Sequence, residues 1–186
     1  MIDNYLTTLR ASCQQRRVPL ISPESQSILL KILTTYKPKT CLEIGSAIGY
    51  SGIFIANTIK QWGNLTSFEV AYPSYLEAQY HARQTKTANV KRYPFDITKI
   101  EDTSNILPKQ CDFVFIDAQK SQYIYMEKIQ ENLSSENIIV LDDIIKYHTK
   151  LTLYEFLNKN QINYEILNSE EDGIMIIHNT KAKNPK

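Results

Sequence analysis

The chain has 186 residues, 42% of them hydrophobic and 22% charged, with a formal net charge of +1. That length accommodates one domain with a sizeable core, and the composition is that of a soluble globular protein. A near-neutral balance excludes a surface-wide field that recruits nucleic acid, though not local contact with RNA.

The N-terminal MIDNYLTTLR is amphipathic, carries an acid and lacks the apolar core of a signal peptide. Cys13, Cys41 and Cys111 lie far apart without a CxxC, and His81, His148 and His178 are equally scattered. That pattern fits a reducing compartment and neither a disulfide framework nor a zinc site. No apolar run approaches the roughly 18 residues of a membrane span. A cytoplasmic protein with no membrane or DNA partner is expected.

SPESQSILLKILTTY (22–36) starts Ser-Pro and spaces its apolar residues three and four apart, which predicts a helix. YSGIFIANTIKQW (50–62), PSYLEAQYHARQTK (73–86), SQYIYMEKIQENL (121–133) and KLTLYEFLNKN (150–160) follow the same rule. Between them recur β-rich runs: TCLEI (40–44), LTSFEV (65–70), VKRYPF (90–95), DFVFID (112–117), NIIVLD (137–142), NYEIL (163–167) and GIMIIH (173–178). Alternation of strand and helix predicts an α/β fold with a mostly parallel sheet covered on both faces. The last two strands are joined by NSEEDG, a hairpin signal, so the final strand is expected to be antiparallel, at or near an edge. One domain is expected over 1–180, with helices in 1–37 as its cover and a disordered basic tail at 181–186.

Open sheets of this kind bind ligands beyond the carboxyl ends of their strands. Those ends carry acids: Glu69 after the second strand, Asp96 beyond the third, Asp117 after the fourth, Asp142 and Asp143 after the fifth. The first strand leads through Glu43 into Gly45-Ser46-Ala47-Ile48-Gly49. This loop fails G-x-G-x-x-G, because Ala47 and Tyr50 stand at two glycine positions, and it lacks the lysine of a P-loop. That counts against a dinucleotide oxidoreductase. A loop with few glycines beside an acid suits a ligand with positive charge and no phosphate. S-adenosylmethionine (SAM) is such a ligand, with Glu69 placed to accept its ribose hydroxyls and Asp96 near its adenine. Read alone, Gly45 and Gly49 are also satisfied by a tight βα turn.

Asp117, Asp142 and Asp143 read singly as helix caps or polar loop starts. Brought to one crevice they repel each other, and a hard divalent ion such as Mg²⁺ relieves that. Such an ion favours ionisation of a bound hydroxyl, and Lys120, desolvated or beside the metal, is placed to act as base.

LEIGSAIGYS, FEV, DFVFIDAQKSQY and LDDII, in that order, resemble the metal-dependent O-methyltransferases of class I fold, over roughly 15–180. That family includes the catechol and caffeoyl-CoA enzymes. With VPLISPESQSILLKIL, the chain is most similar to the bacterial tRNA 5-hydroxyuridine methyltransferases. The resemblance implies a seven-stranded sheet of order 3-2-1-4-5-7-6, a homodimer, and a methyl acceptor that is first hydroxyuridine in tRNA, with a catechol-like small molecule as the alternative. It implies that Ile21 contacts the methionine end of SAM, Ser51 its carboxylate, Glu69 the ribose, and Asp96 and Ile97 the adenine. Asp117 would serve both the metal and the SAM amino group, Asp142 and Asp143 would complete the metal site, and Lys120 would match the catalytic lysine. The family usually has Asn where this chain has Asp143, and only KYHTK separates LDDII from the next helix, a short loop that opens the site to a large acceptor. Arg16, Arg17, Tyr147 and Tyr154 are candidates for phosphate contact and base stacking, and taken singly each reads better as surface charge or half-buried ring. A SAM-binding protein without catalysis is the other alternative.

Overall fold

The computed structural model describes residues 2–118, 122–144, 150–167 and 173–178. Its elements run α1 (Ile2–Arg16), α2 (Pro23–Tyr36), β1 (Thr40–Ile44), α3 (Tyr50–Ile59), β2 (Asn64–Phe68), α4 (Tyr72–Gln84), β3 (Val90–Tyr93), β4 (Cys111–Ile116), α5 (Gln122–Ile129), β5 (Leu133–Leu141), α6 (Lys150–Lys159), β6 (Tyr164–Leu167) and β7 (Ile174–His178). Short 3-10 turns lie at Ile97–Lys99 and Gln130–Asn132.

The seven strands form one sheet in the order β3-β2-β1-β4-β5-β7-β6. The pairs from β3 to β5 are parallel, and β7 runs antiparallel to both β5 and β6. Strand order and the direction of β7 are those expected, with β7 one strand in from the edge. Of the hairpin signal NSEEDG, residues 168–172 lie outside the described residues, as does the tail 181–186. β5 starts at Leu133, four residues earlier than its apolar run, because Leu133 pairs with Cys111 before the register shifts between Cys111 and Phe113.

Side chains alternate across the sheet with period two. Cys41, Phe113, Phe115 and Val140 face the layer of α1, α2 and α3, where Leu29, Leu33 and Ile53 are buried. Leu42, Val114, Ile116 and Ile139 face α5 and α6, where Met126, Ile129 and Leu157 are buried. Helix α2 is capped at both ends. The Ser22 hydroxyl accepts from Ser25 N, Pro23 occupies the first turn, and left-handed Lys37 donates to the Leu33 carbonyl.

One more set of backbone bonds fixes the functional rim. Four of the five parallel strands are extended one residue past their ends: Gly45 N donates to Phe68 O, Glu69 N to Tyr93 O, Asp117 N to Ile44 O, and Asp142 N to Ile116 O. Glu69, Asp117 and Asp142 therefore stand in a row, each held by its neighbour strand. No helix among the described residues is long and apolar enough to cross a membrane.

Phe113 is 1% exposed at the centre of the sheet. Phe113→Ala is expected to cost about 3–5 kcal/mol in urea unfolding; a loss below about 1 kcal/mol would mean that this face of the sheet is not packed as described.

Candidate active site

A cavity of about 420 Å³ opens beyond the carboxyl ends of β1, β2, β4 and β5. That size suits a small organic ligand. Pro19, Leu20 and Ile21 line one wall, Phe68, Phe95 and Ile97 another, and Asp117, Asp142 and Asp143 a third.

The glycine loop is shaped by contact as well as by backbone torsion. Gly45 has φ +90°, and a Cβ there would lie 2.2 Å from the carbonyl oxygen of Asp117. Only glycine fits between β1 and β4 at this point. Gly49, φ +87°, packs against Ala78 of α4 and stands just before the first turn of α3. Ala47 is also left-handed, at φ 43°, although it has a side chain.

Glu69 holds this loop. Its Oε2 accepts from Ala47 N and its Oε1 from Ala71 N, each at 2.7 Å. One carboxylate thus ties the loop after β1 to the loop after β2, and it lines the cavity. An ionised carboxylate offers about four acceptor positions, so two remain for a ligand after these bonds. Asp96 and Ile97 line the same end; Asp96 Oδ1 accepts from Thr98 N and Thr98 Oγ1 and so caps the short 3-10 turn.

Glu43, Gly49 and Ser51 do not line the cavity. Glu43 is fully buried beneath the loop, where its two oxygens accept from Ser51 Oγ at 2.7 Å and Ser67 Oγ at 2.6 Å. The hydroxyl expected against a cofactor carboxylate is therefore engaged below the loop. The reason is strand alternation: Glu43 and Cys41 point to the α3 side, away from the cavity. Burial pushes the Glu43 carboxyl up from its ordinary value, while the two serine bonds and the charge of Arg92 pull it down and Glu69 pushes it up.

Arg92 of β3 was not signalled by the sequence. Ser67 pairs in register with both Glu43 and Arg92, so the three form a polar row across β1, β2 and β3. Burial lowers the Arg92 pKa, against the pull of Glu43. Its Nε and Nη2 are buried and have no hydrogen-bond partner among the described residues. Opposite charges 49 positions apart carry no local signal; only the strand register brings them together.

On the opposite side of the cavity, Asp117, Asp142 and Asp143 share one wall. Asp142 is 3% exposed and its Oδ1 accepts from Ser25 Oγ at 3.2 Å, while its carbonyl accepts from Gln122 Nε2 at 2.7 Å. Asp143 is left-handed, at φ 56°. Oxygen donors of this kind suit a hard divalent ion. Among the described residues, however, no group of three or more His, Cys, Asp or Glu stands together in a way that could hold a metal. Lys120, the expected base, and Tyr147 lie outside the described residues. Arg16, a candidate for phosphate contact, instead forms a two-pronged ion pair with Glu77 of α4. Tyr154 packs its ring against Tyr164 of β6.

The sheet order, with a glycine loop after its first strand and an acid-rimmed cavity at its carboxyl edge, is that of a Rossmann-like fold. The family model described as O-methyltransferase matches residues 3–170, and the chain belongs to that family. It is 25% identical over 135 residues to the tapetum-specific methyltransferase 1 of Arabidopsis thaliana, covering 71% of this chain and 57% of that protein. To the caffeoyl-CoA O-methyltransferase of Stellaria longipes it is 28% identical over 155 residues, covering 77% and 62%. The chain thus spans less than two thirds of the length of either. In fold it is similar to the O-methyltransferase from Bacillus cereus solved in complex with SAH, at a TM-score of 0.78 and 19% identity, covering 93% of this chain and 90% of that one.

Because burial raises the Glu43 carboxyl above its ordinary 4.5, folding favours its protonated form. The stability it contributes is fully present below that value and is lost as pH rises through the folded one. Glu43→Gln cannot ionise, so its stability relative to the parent chain is expected to increase between about pH 4 and about pH 8 in urea unfolding. A difference that falls over that range would mean that the serine bonds and Arg92 outweigh burial.

Proposed function

We propose that the protein is a SAM-dependent O-methyltransferase that acts on a hydroxylated small molecule. The observation that carries the reading is Glu69: a carboxylate fixed by two backbone N–H groups, facing the cavity beside the glycine loop. Its remaining acceptor positions suit the two vicinal hydroxyls of a ribose. Membership of the O-methyltransferase family supports the same reading, as does the fold shared with an SAH-bound relative.

In this reading the adenine lies against Phe95, Asp96 and Ile97, and the methionine end passes Gly45 toward Asp117 and Ile21. Asp117 offers an anion to the cofactor's ammonium. The acceptor enters on the side of Asp142 and Asp143. Its hydroxyl loses a proton to a base, for which Lys120 is proposed, and the oxygen attacks the methyl carbon in line. The O–C bond forms as the C–S bond breaks, and the electron pair leaves on sulfur as a neutral thioether. The chain's own contribution is alignment of the two reactants and exclusion of water. Asp117, Asp142 and Asp143 are the proposed ligands of a divalent cation on donor chemistry alone, and no step here passes through one.

A small acceptor is favoured over hydroxyuridine in tRNA by what the candidate RNA contacts do. Arg16 is paired with Glu77, and Tyr154 packs on Tyr164. That leaves Arg17 as the described cation of the set without an assigned partner, too little for a phosphate-tracking surface.

Methyl-labelled SAM supplied with a catechol panel or with hydroxyuridine-containing tRNA, each with and without chelator, tests the acceptor. Label is expected in a catechol and not in tRNA; labelled tRNA with inert catechols would reverse the choice. Glu69→Gln is expected to weaken SAM binding at least about tenfold in calorimetry, the loss of a hydrogen bond to a charged group. Unchanged affinity would remove Glu69 from the cofactor site.

A further inference from the structure

Arg10 lies on α1, outside the cavity and outside every motif discussed above. Its guanidinium nevertheless makes three hydrogen bonds, one to the loop before α2 and one each to α2 and α3. Nη1 donates to the Ile21 carbonyl at 2.9 Å, Nη2 to Gln26 Oε1 of α2 at 2.8 Å, and Nε to the Tyr50 hydroxyl at 3.2 Å. The same group sits 4.6 Å over the Tyr50 ring, and the Tyr50 hydroxyl also donates to Gln26 Oε1 at 2.9 Å. Every acceptor is neutral.

One of these partners lines the cavity and another follows the glycine loop. Ile21 ends the stretch Pro19–Leu20–Ile21 that lines one wall, and Tyr50 is the first residue of α3, directly after the glycine loop. Among the described residues, the bond from Arg10 is the one hydrogen bond made to the backbone of Pro19, Leu20 or Ile21. A wall without a ladder of its own is held by whatever holds its carbonyl. Arginine suits this task because its planar fork presents five donors at fixed angles, so one side chain spans three acceptors. A lysine ammonium on a flexible stem does not fix three partners in one plane.

We propose that Arg10 is a positioning residue for the cofactor site: it locks the Pro19–Ile21 wall to the start of α3 and so sets affinity for the end of SAM that lies beside Ile21. The proposal rests on the cofactor reading above. It assigns Arg10 no contact with ligand.

The test pairs a ligand-free readout with a binding readout. In the intact protein without ligand, backbone NMR order parameters at Leu20 and Ile21 are compared between the parent chain, Arg10→Lys and Arg10→Met. Calorimetry measures SAM affinity in the same three proteins. Arg10→Met is expected to lower both order parameters from the rigid-backbone range toward the flexible one, below about 0.6, and to weaken SAM binding at least about tenfold, as for loss of a hydrogen bond from a charged donor. Arg10→Lys, which keeps one donor, is expected to fall between. Should Arg10→Met not fold, Arg10→Lys carries the comparison. Tyr50→Phe keeps the ring and removes the hydroxyl, and is expected to change SAM affinity less than Arg10→Met does. Unchanged order parameters with affinity within about twofold of the parent chain overturn the proposal. Lowered order parameters in the Arg10 variants, beside a parent chain that itself fails to bind SAM, overturn the cofactor reading and leave the lock standing. Weakened binding with unchanged order parameters also overturns the proposal, because Arg10 would then act on the ligand and not through the wall.

Discussion

The Glu69 carboxylate accepts one backbone N–H from the loop after β1 and one from the loop after β2, and the shape of the cavity depends on that pair of hydrogen bonds. Ala47 shows why. A left-handed backbone costs an ordinary residue about 1–2 kcal/mol. A hydrogen bond from that same N–H to a charged acceptor contributes about 1.5–3 kcal/mol. The bond is large enough to hold the loop in a conformation that its sequence does not prefer. The glycine at Gly45 then lets β1 and β4 close to a distance at which no side chain fits, and the rim acids follow in line.

Below that loop the structure uses polar groups for a different end. Glu43, Ser51, Ser67 and Arg92 lie on the α3 and α4 side of the sheet, and Tyr75 with its bonded neighbour Gln79 adds to the same layer. A buried carboxylate is costly unless it is bonded. Here two serine hydroxyls answer its two oxygens, and a guanidinium two strands away supplies the opposite charge. The loop above therefore rests on a floor that is polar but mostly satisfied, while the cavity wall toward Pro19–Ile21 is carried by Arg10 from the side.

Much of this was legible from residue order. The alternation of β-rich runs and helical spacing gives the strands, and the missing helix before the last run gives the antiparallel β7. The acids at strand ends are legible because each parallel strand ends at the same rim. The side chains that stand off the cavity lining share one cause. Glu43 and Ser51 belong to the cofactor motif by adjacency, yet period-two alternation turns Glu43 to the far face and takes Ser51 with it. Arg92 and Arg10 were missed for the complementary reason. Arg92 lies 49 positions from Glu43, and the Arg10 fork joins partners 11, 16 and 40 positions away, so no short window of sequence contains either group whole.

Asp143 has a consequence beyond its charge. Its backbone is left-handed, at φ 56°, a region that aspartate and asparagine enter far more readily than longer or branched residues. Asparagine, the residue that the resemblance puts at this position, shares that backbone habit. The turn out of β5 ranks its candidates by conformation before it ranks them by charge. Glutamate would keep the negative charge and still be the poorer substitute, and this corner of the cavity tolerates a change of electrostatics more readily than a change of torsion.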